Sequence, residues 1–245
     1  MTDRTLLDRL LEPGALTVLF QPIYETYSMK AHYVECLVRG PRGTSVESAD
    51  VLFEYARRKN READVDRACV RAICQASREL PENTRIGVNV HASTLAMDTE
   101  FITFLGDTAS ASGIAIERIV VEIVEHAPPW DVAAFRNALA ALRDVGAAIA
   151  LDDVGLGQSN FLMILECRPH YMKIDRHFVH GAAKDYYRQA VLKCVAQLAR
   201  SFLARVVAEG VEDEDDLRAA RECGIDLVQG YLYGPPRSAA ALGRP

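Results

Sequence analysis

The chain lacks the features that would mark it for a membrane or for polymeric nucleic acid. No apolar run approaches the roughly 20 residues that cross a bilayer. The N-terminal MTDRTLLDRLLEPG sets acids and arginines inside its apolar pattern, which is unlike a leader, so the expected location is the cytoplasm with no membrane insertion. Basic charge is also scarce. Lys and Arg number 28 against 34 Asp and Glu, a formal net charge of -6, and the basic face that supplies most affinity for DNA or RNA is missing. The six cysteines show no CxxC and no Cys/His pairing at zinc spacing, and most lie among Ala, Leu and Val, as buried reduced thiols do. No Gly/Ser-rich or Pro-rich linker divides the 245 residues, so 1–245 reads as one domain, with residues 1–14 forming a helix that packs on it.

A hydrophobic content of 49% allows a large core, and the apolar pattern repeats in a regular order. Leu16 to Pro22 and Tyr33 to Arg39 read as strands. The ten or so residues between them are too few for the crossover that parallel strands need, so this pair is expected to be antiparallel. Helices are expected over 51–58 and 65–80, a strand over 85–90, a helical region over 99–112 and a strand over 118–124. The stripe Phe135, Leu139, Leu142 then marks a helix that Gly146 ends. Ala148 to Leu151 is a buried strand running into Asp152 and Asp153. Further helices (159–165, 184–203, 214–223) alternate with strands (171–174, 205–209, 226–232). About eight strands with helices between them fit an α/β closed barrel, with an open doubly wound sheet as the competing architecture.

In a barrel of this kind the C-terminal strand ends share one mouth. Polar residues gather at those ends: Glu35 and Arg39, Asn89, Glu122 and Glu125, Asp152 and Asp153, Lys173, Glu209 and Glu212, and Gln229. Carboxylates packed together raise one another's pKa unless cations hold them. Hard oxygen donors of this kind select Mg²⁺, Mn²⁺ or Ca²⁺ over zinc, and a pair of ions about 3.5 to 4 Å apart activates water for in-line attack at phosphorus. A lysine among the acids suits an attacking water or a phosphoryl oxygen, and Arg39 suits a phosphate. The chemistry these residues point to is metal-dependent phosphodiester hydrolysis.

Taken in order, Glu35-Cys-Leu with Arg39, Asn89 in VNV, Glu122-Ile-Val-Glu125, Asp152-Asp153, Lys173-Ile-Asp175, Glu209-Gly-Val-Glu212 and Gln229-Gly-Tyr resemble the motifs of the EAL-domain cyclic-di-GMP phosphodiesterases. The resemblance runs from Phe20 to Pro236. It implies a modified (βα)8 TIM-like barrel with an antiparallel first strand, and cleavage of one phosphodiester of cyclic di-GMP to linear pGpG with one or two Mg²⁺ or Mn²⁺ ions. It assigns Glu35, Asn89, Glu122, Asp152 and Asp153 to metal coordination and Glu209 to the metal and water network. It also implies that Lys173 positions the attacking water, that Gln229 and Glu212 support the site, and that Gln21 and Arg39 face the substrate. The acid matching Glu125 braces the loop after the paired aspartates; Asp175, read from its own position, either bonds locally or lines the site. That loop also implies a homodimer contact, and a regulatory protein partner would fit the family.

Two departures bear on this reading. Cys36 replaces the alanine of the signature, on the strand face opposite Glu35. In DDVGLGQSN, Val154, Leu156, Gln158 and Asn160 replace the usual Phe, Thr, Tyr and Ser, which leaves a receptor that holds cyclic di-GMP without cutting it as the alternative function. A two-carboxylate glycosidase accounts for neither Lys173 nor the number of acids. His91 and His126 read as surface or core imidazoles, and Trp130 as a packing residue. The run EDEDD from Glu212 reads as a solvated helix start with Glu212 alone facing inward.

Overall fold

A computed structural model describes residues 6–124, 131–156 and 161–242. Leu6–Leu10 (α1) precedes Thr17–Glu25 (β1) and Ala31–Arg39 (β2). These two strands pair antiparallel from Thr17 opposite Arg39 to Tyr24 opposite Ala31, as the short connection requires. Ala49–Arg58 (α2) and Glu62–Ala76 (α3) lead to Ile86–His91 (β3), and Ala92–Met97 (α4) and Phe101–Ala111 (α5) to Ile119–Val124 (β4). Val132–Asp144 (α6), Ala148–Leu151 (β5), Phe161–Cys167 (α7) and Tyr171–Ile174 (β6) follow. Then come Arg176–Val179 (α8), Tyr186–Ser201 (α9), Arg205–Ala208 (β7), Glu214–Glu222 (α10), Leu227–Val228 (β8) and Ala239–Leu242 (α11).

Among the described residues the eight strands close in sequence order into a barrel. β2 through β8 run parallel, and the reversed β1 closes the ring by pairing antiparallel with β8 as well as β2. The architecture is the α/β barrel expected, and the open sheet is excluded.

Sequence determines these elements locally. Asp131 caps α6 by accepting the amide protons of Ala133 and Ala134, and Phe135, Leu139 and Leu142, four and three residues apart, bury one stripe of that helix completely. Each such side chain contributes about 1.5 to 3 kcal/mol by leaving water. In α1, Leu7 and Leu10 are buried in the main core. No helix among the described residues is long and apolar enough to cross a membrane.

The helix expected over 99–112 is α5, but α4 before it was not expected: it follows β3 without a connecting loop, and six residues are too few to display a helical period. Two expectations need correction. The strand expected over 226–232 is paired only at Leu227 and Val228. At Gly230 a side-chain carbon would stand 2.1 Å from the Val211 carbonyl oxygen, so the chain there lies against the β7–α10 loop and turns through 231–233 as a 3-10 turn. The acidic run is not all solvated. Asp216 is buried, accepting from the amides of Gly181 (3.1 Å) and Glu212 (3.2 Å), while the Glu212 side chain is exposed.

Candidate active site

Alternation along each strand builds the site in two layers. Side chains two apart share a face, and the inward face carries an apolar residue and a polar one in turn. Ile23, Tyr33, Val120, Ala150, Tyr171, Val207 and Leu227 fill the barrel interior. Two positions from each of them stand Gln21, Glu35, Glu122, Asp152, Lys173, Glu209 and Gln229. On β3 the same step leads from Gly87 to Asn89. Eight strands thus deliver eight polar side chains to one level.

Lys173 is the hub of that level. Its Nζ lies 2.6 Å from Glu122 Oε2, 2.8 Å from Glu209 Oε1, 3.3 Å from Asp152 Oδ1 and 3.4 Å from Glu35 Oε2. Asn89 donates from Nδ2 to Glu35 Oε1 (3.2 Å). Gln229 donates from Nε2 to Glu35 Oε2 (2.7 Å) and to Gln21 Oε1 (3.1 Å), and Gln21 donates in turn to the Gly234 carbonyl. Glu35 is therefore held by two neutral amides and one ammonium.

One ammonium among four carboxylates leaves surplus negative charge, and burial makes it costly. Burial pushes the Glu122 carboxyl up to about 8, against the pull of Lys173. Burial likewise raises Glu209 and Asp152, and burial with the neighbouring Asp152 charge lifts Asp153 to about 6. Burial works the same way on Glu35, but there Lys173 and the Gln229 and Asn89 amides outweigh it and hold the carboxyl below its usual value. Burial also opposes the charge on Lys173, yet the surrounding acids keep its ammonium well above the ordinary lysine range.

The residues present fit a divalent cation. Asp152, Asp153 and Glu209 each bring a carboxylate oxygen to within 4.8 Å of the others, and Glu122 Oε1 is buried without a hydrogen-bond partner among the described residues. The donors are all hard oxygens. The turn that presents the two aspartates is tight: Asp153 takes φ +51, a left-handed conformation that aspartate tolerates better than most residues, and its amide donates to Asp152 Oδ1. Val154 is buried and ties the turn to β6 through its amide and the Lys173 carbonyl (2.9 Å).

A cavity of about 230 Å³ opens above the cluster, lined by Gln21, Glu35, Asp175, Glu209, Glu212 and Gln229 among others. Asp175 also caps α8 by accepting the His177 amide proton at 2.7 Å. Arg39 stands apart from the cavity lining, half-buried, with its guanidinium on the Val38 carbonyl. Glu125, His126 and Trp130 lie outside the described residues, as do Gln158 and Asn160 of the loop after the aspartates. Cys36 faces away from Glu35 into the core between barrel and helices.

Sequence reasoning missed the buried carboxylates that hold this end of the barrel in shape. Asp66 on α3 accepts from the His91 amide (3.0 Å), the Thr94 hydroxyl (2.6 Å) and the His91 ring, whose Nδ1 is 2.9 Å away, and so fixes the turn two residues past Asn89. The signal for it was an acid on the apolar stripe of α3, between Val65 and Cys69. Asp216 does the same for the segments after β6 and β7.

Comparison with known proteins agrees with the barrel fold. The family model described as EAL domain matches residues 4–236. The cyclic di-GMP phosphodiesterase NbdA of Pseudomonas aeruginosa is 27% identical over 96% of this chain and 31% of its own length. The probable cyclic di-GMP phosphodiesterase PdeG of Escherichia coli is 27% identical over 96% of this chain and 47% of its own. The chain thus spans about a third to a half of the length of these curated relatives. Among solved structures, the manganese and cyclic-di-GMP complex of Klebsiella pneumoniae BlrP1 at pH 9.0 superposes with a TM-score of 0.82 at 25% identity, covering 92% of this chain and 57% of that one.

Proposed function

Because the chain belongs to the EAL domain family, we propose that it hydrolyses one phosphodiester bond of cyclic di-GMP to linear pGpG, with Mg²⁺ or Mn²⁺ held at the barrel mouth. The observation that carries this reading is the buried Lys173 ammonium surrounded by Glu35, Glu122, Asp152 and Glu209 at the base of an open cavity.

Asp152, Asp153, Glu122 and Glu209 would hold the cation, with Glu35 and Asn89 completing the oxygen set. When bound, the ion polarises a phosphoryl oxygen and makes a nearby water acidic. Lys173 hydrogen-bonds and orients the attacking water, and its fixed charge faces the phosphoryl group. Glu209, its Oε1 2.8 Å from Lys173 Nζ, is the carboxylate placed to accept the proton that water gives up. A bond forms from the water oxygen to phosphorus as the bond to the 3′-oxygen breaks; that oxygen takes a proton from solvent and leaves as the 3′-hydroxyl, Glu209 returns its proton to solvent, and the phosphate remains on the 5′ side of the opened product. Gln229 and Gln21 hold Glu35 in place, Glu212 and Asp175 line the rim, and Arg39 and Gln21 are assigned to the substrate side. Glu125 is assigned to bracing the loop after the aspartates.

The same reading takes residues 1–245 as one EAL-type barrel in the cytoplasm. Reduced, mostly buried cysteines accord with that location. It also includes a homodimer formed beside the loop after Asp153, where Phe161, Leu162 and Leu165 of α7 are exposed.

Incubation of the purified protein with cyclic di-GMP and Mg²⁺ or Mn²⁺, followed by chromatography for pGpG, tests the activity beside a Glu35→Ala control. Product from the parent and none from the control is expected. Tight binding without product would favour the receptor function, and product that persists in the control would overturn the site assignment.

A further inference from the structure

Beneath the carboxylates, one polar group is enclosed with nothing to bond. Tyr33 stands on β2 two residues before Glu35, on the same inward face and one layer deeper, and is 1% exposed. Its hydroxyl is fully buried and has no hydrogen-bond partner among the described residues. One oxygen of Glu122 shares that condition: Oε2 takes the Lys173 ammonium, whereas Oε1 is buried and unpartnered. Buried hydroxyls and carboxylates are ordinarily bonded, so this idle donor and this idle acceptor each call for a partner.

Gly87 shows that the two side chains converge. It pairs with Glu35 across β2 and β3. A side-chain carbon added there would lie 2.0 Å from Glu122 Oε1 and 3.2 Å from Cε2 of the Tyr33 ring, so both groups pack over the same glycine. The neighbouring Tyr171 does not compete, since its hydroxyl lies 2.9 Å from His32 Nε2 and takes a proton from Arg85 at 3.3 Å. The charged groups that act on Tyr33 are those of the cluster above it: Glu122, Lys173, Glu35 and Glu209.

We propose that Tyr33 is a positioning residue for the metal site: its hydroxyl donates to Oε1 of Glu122, directly or through one enclosed water, and keeps that carboxylate aligned with Lys173 and the cation. Gly87 supplies the room. This rests on the reading of the acid cluster as a divalent-cation site. Hydrogen bonds behind a metal-ligating carboxylate typically carry 10- to 100-fold in metal affinity.

The test is a Mn²⁺ titration of the purified full chain, with free ion followed by electron paramagnetic resonance, alongside thermal melting in EDTA. Tyr33→Phe removes the hydroxyl and retains the ring. The expected result is an Mn²⁺ dissociation constant raised by about tenfold, with the melting temperature in EDTA unchanged or higher. An unchanged Mn²⁺ affinity in Tyr33→Phe would overturn the inference, as would an equal fall in affinity and in EDTA melting temperature, which marks a packing residue. Glu122→Gln separates the two levels. If it weakens Mn²⁺ binding and Tyr33→Phe does not, only the role of Tyr33 fails; if Glu122→Gln binds Mn²⁺ as the parent does, the metal-site reading fails and Tyr33 with it.

Discussion

Lys173 Nζ sits 2.6 Å from Glu122 Oε2, inside a barrel that leaves neither side chain in contact with solvent. A buried pair of this kind is a modest source of stability while intact, and a large liability when one partner is lost.

Lys173→Met is therefore expected to destabilise the metal-free protein by about 3 to 5 kcal/mol, because Glu35, Glu122, Asp152 and Glu209 lose their shared cation. Denaturant melts in EDTA measure this. A loss under 1 kcal/mol would mean that the acids are neutralised by protons alone. Turnover of cyclic di-GMP should fall by about 10² to 10³, as when an oriented donor is removed from a reacting centre.

Stability without metal should decrease as pH rises. Glu122 is pushed up to about 8 and Asp153 to about 6, from ordinary values of 4.5 and 3.8, so the folded protein holds more protons than the unfolded chain in between. The stabilisation is complete below the unfolded values and is lost as pH passes through the folded ones. The melting temperature in EDTA should therefore drop between pH 5 and 8.5, and saturating Mn²⁺ should flatten the curve by taking the place of the protons. A metal-free melting temperature that climbs across that range would contradict the charge balance described for the cluster.

Asp66→Ala should cost about 2 to 4 kcal/mol, since it strips partners from the His91 amide, the His91 ring and the Thr94 hydroxyl at once. Burial lowers the His91 pKa, but Asp66 more than offsets this and holds it above 6.5. That contribution is present below pH 6.5 and disappears as pH rises through the folded value. The penalty of the substitution, read from urea melts, should accordingly be larger at pH 5.5 than at pH 9.

Cys36→Ala should leave turnover within about twofold and cost about 1 kcal/mol, the scale of a small cavity. The thiol lies in the helix-facing core, and burial pushes its pKa well above the usual range, so labelling by a thiol reagent should require unfolding. Rapid labelling of the native protein at this position would show an opening of the barrel wall.

The fold was legible because its signals are local. Short connections dictated the antiparallel start, and the 3.6-residue stripe of Phe135, Leu139 and Leu142 marked α6. Glu35, Glu122, Asp152 and Glu209 were legible too, since each falls on the inward alternation of a strand or just past its end. What the pattern did not expose are side chains whose role depends on a distant partner. Asp66 looks like any helix acid until His91 folds onto it, and Tyr33 looks like any core aromatic until Gly87 opens the space beside Glu122. α4 escaped for a different reason, being shorter than the window in which a helix shows its period.

The reversed β1 sets the geography of the molecule. Because Thr17 pairs with Arg39, the chain joins the barrel at the rim that carries the acid cluster, and the hairpin back to Ala31 crosses the opposite pole. Lys30, exposed at that hairpin, is thus an address for a dye or a surface tether that leaves the rim unobstructed, whereas an attachment just ahead of Thr17 would crowd it.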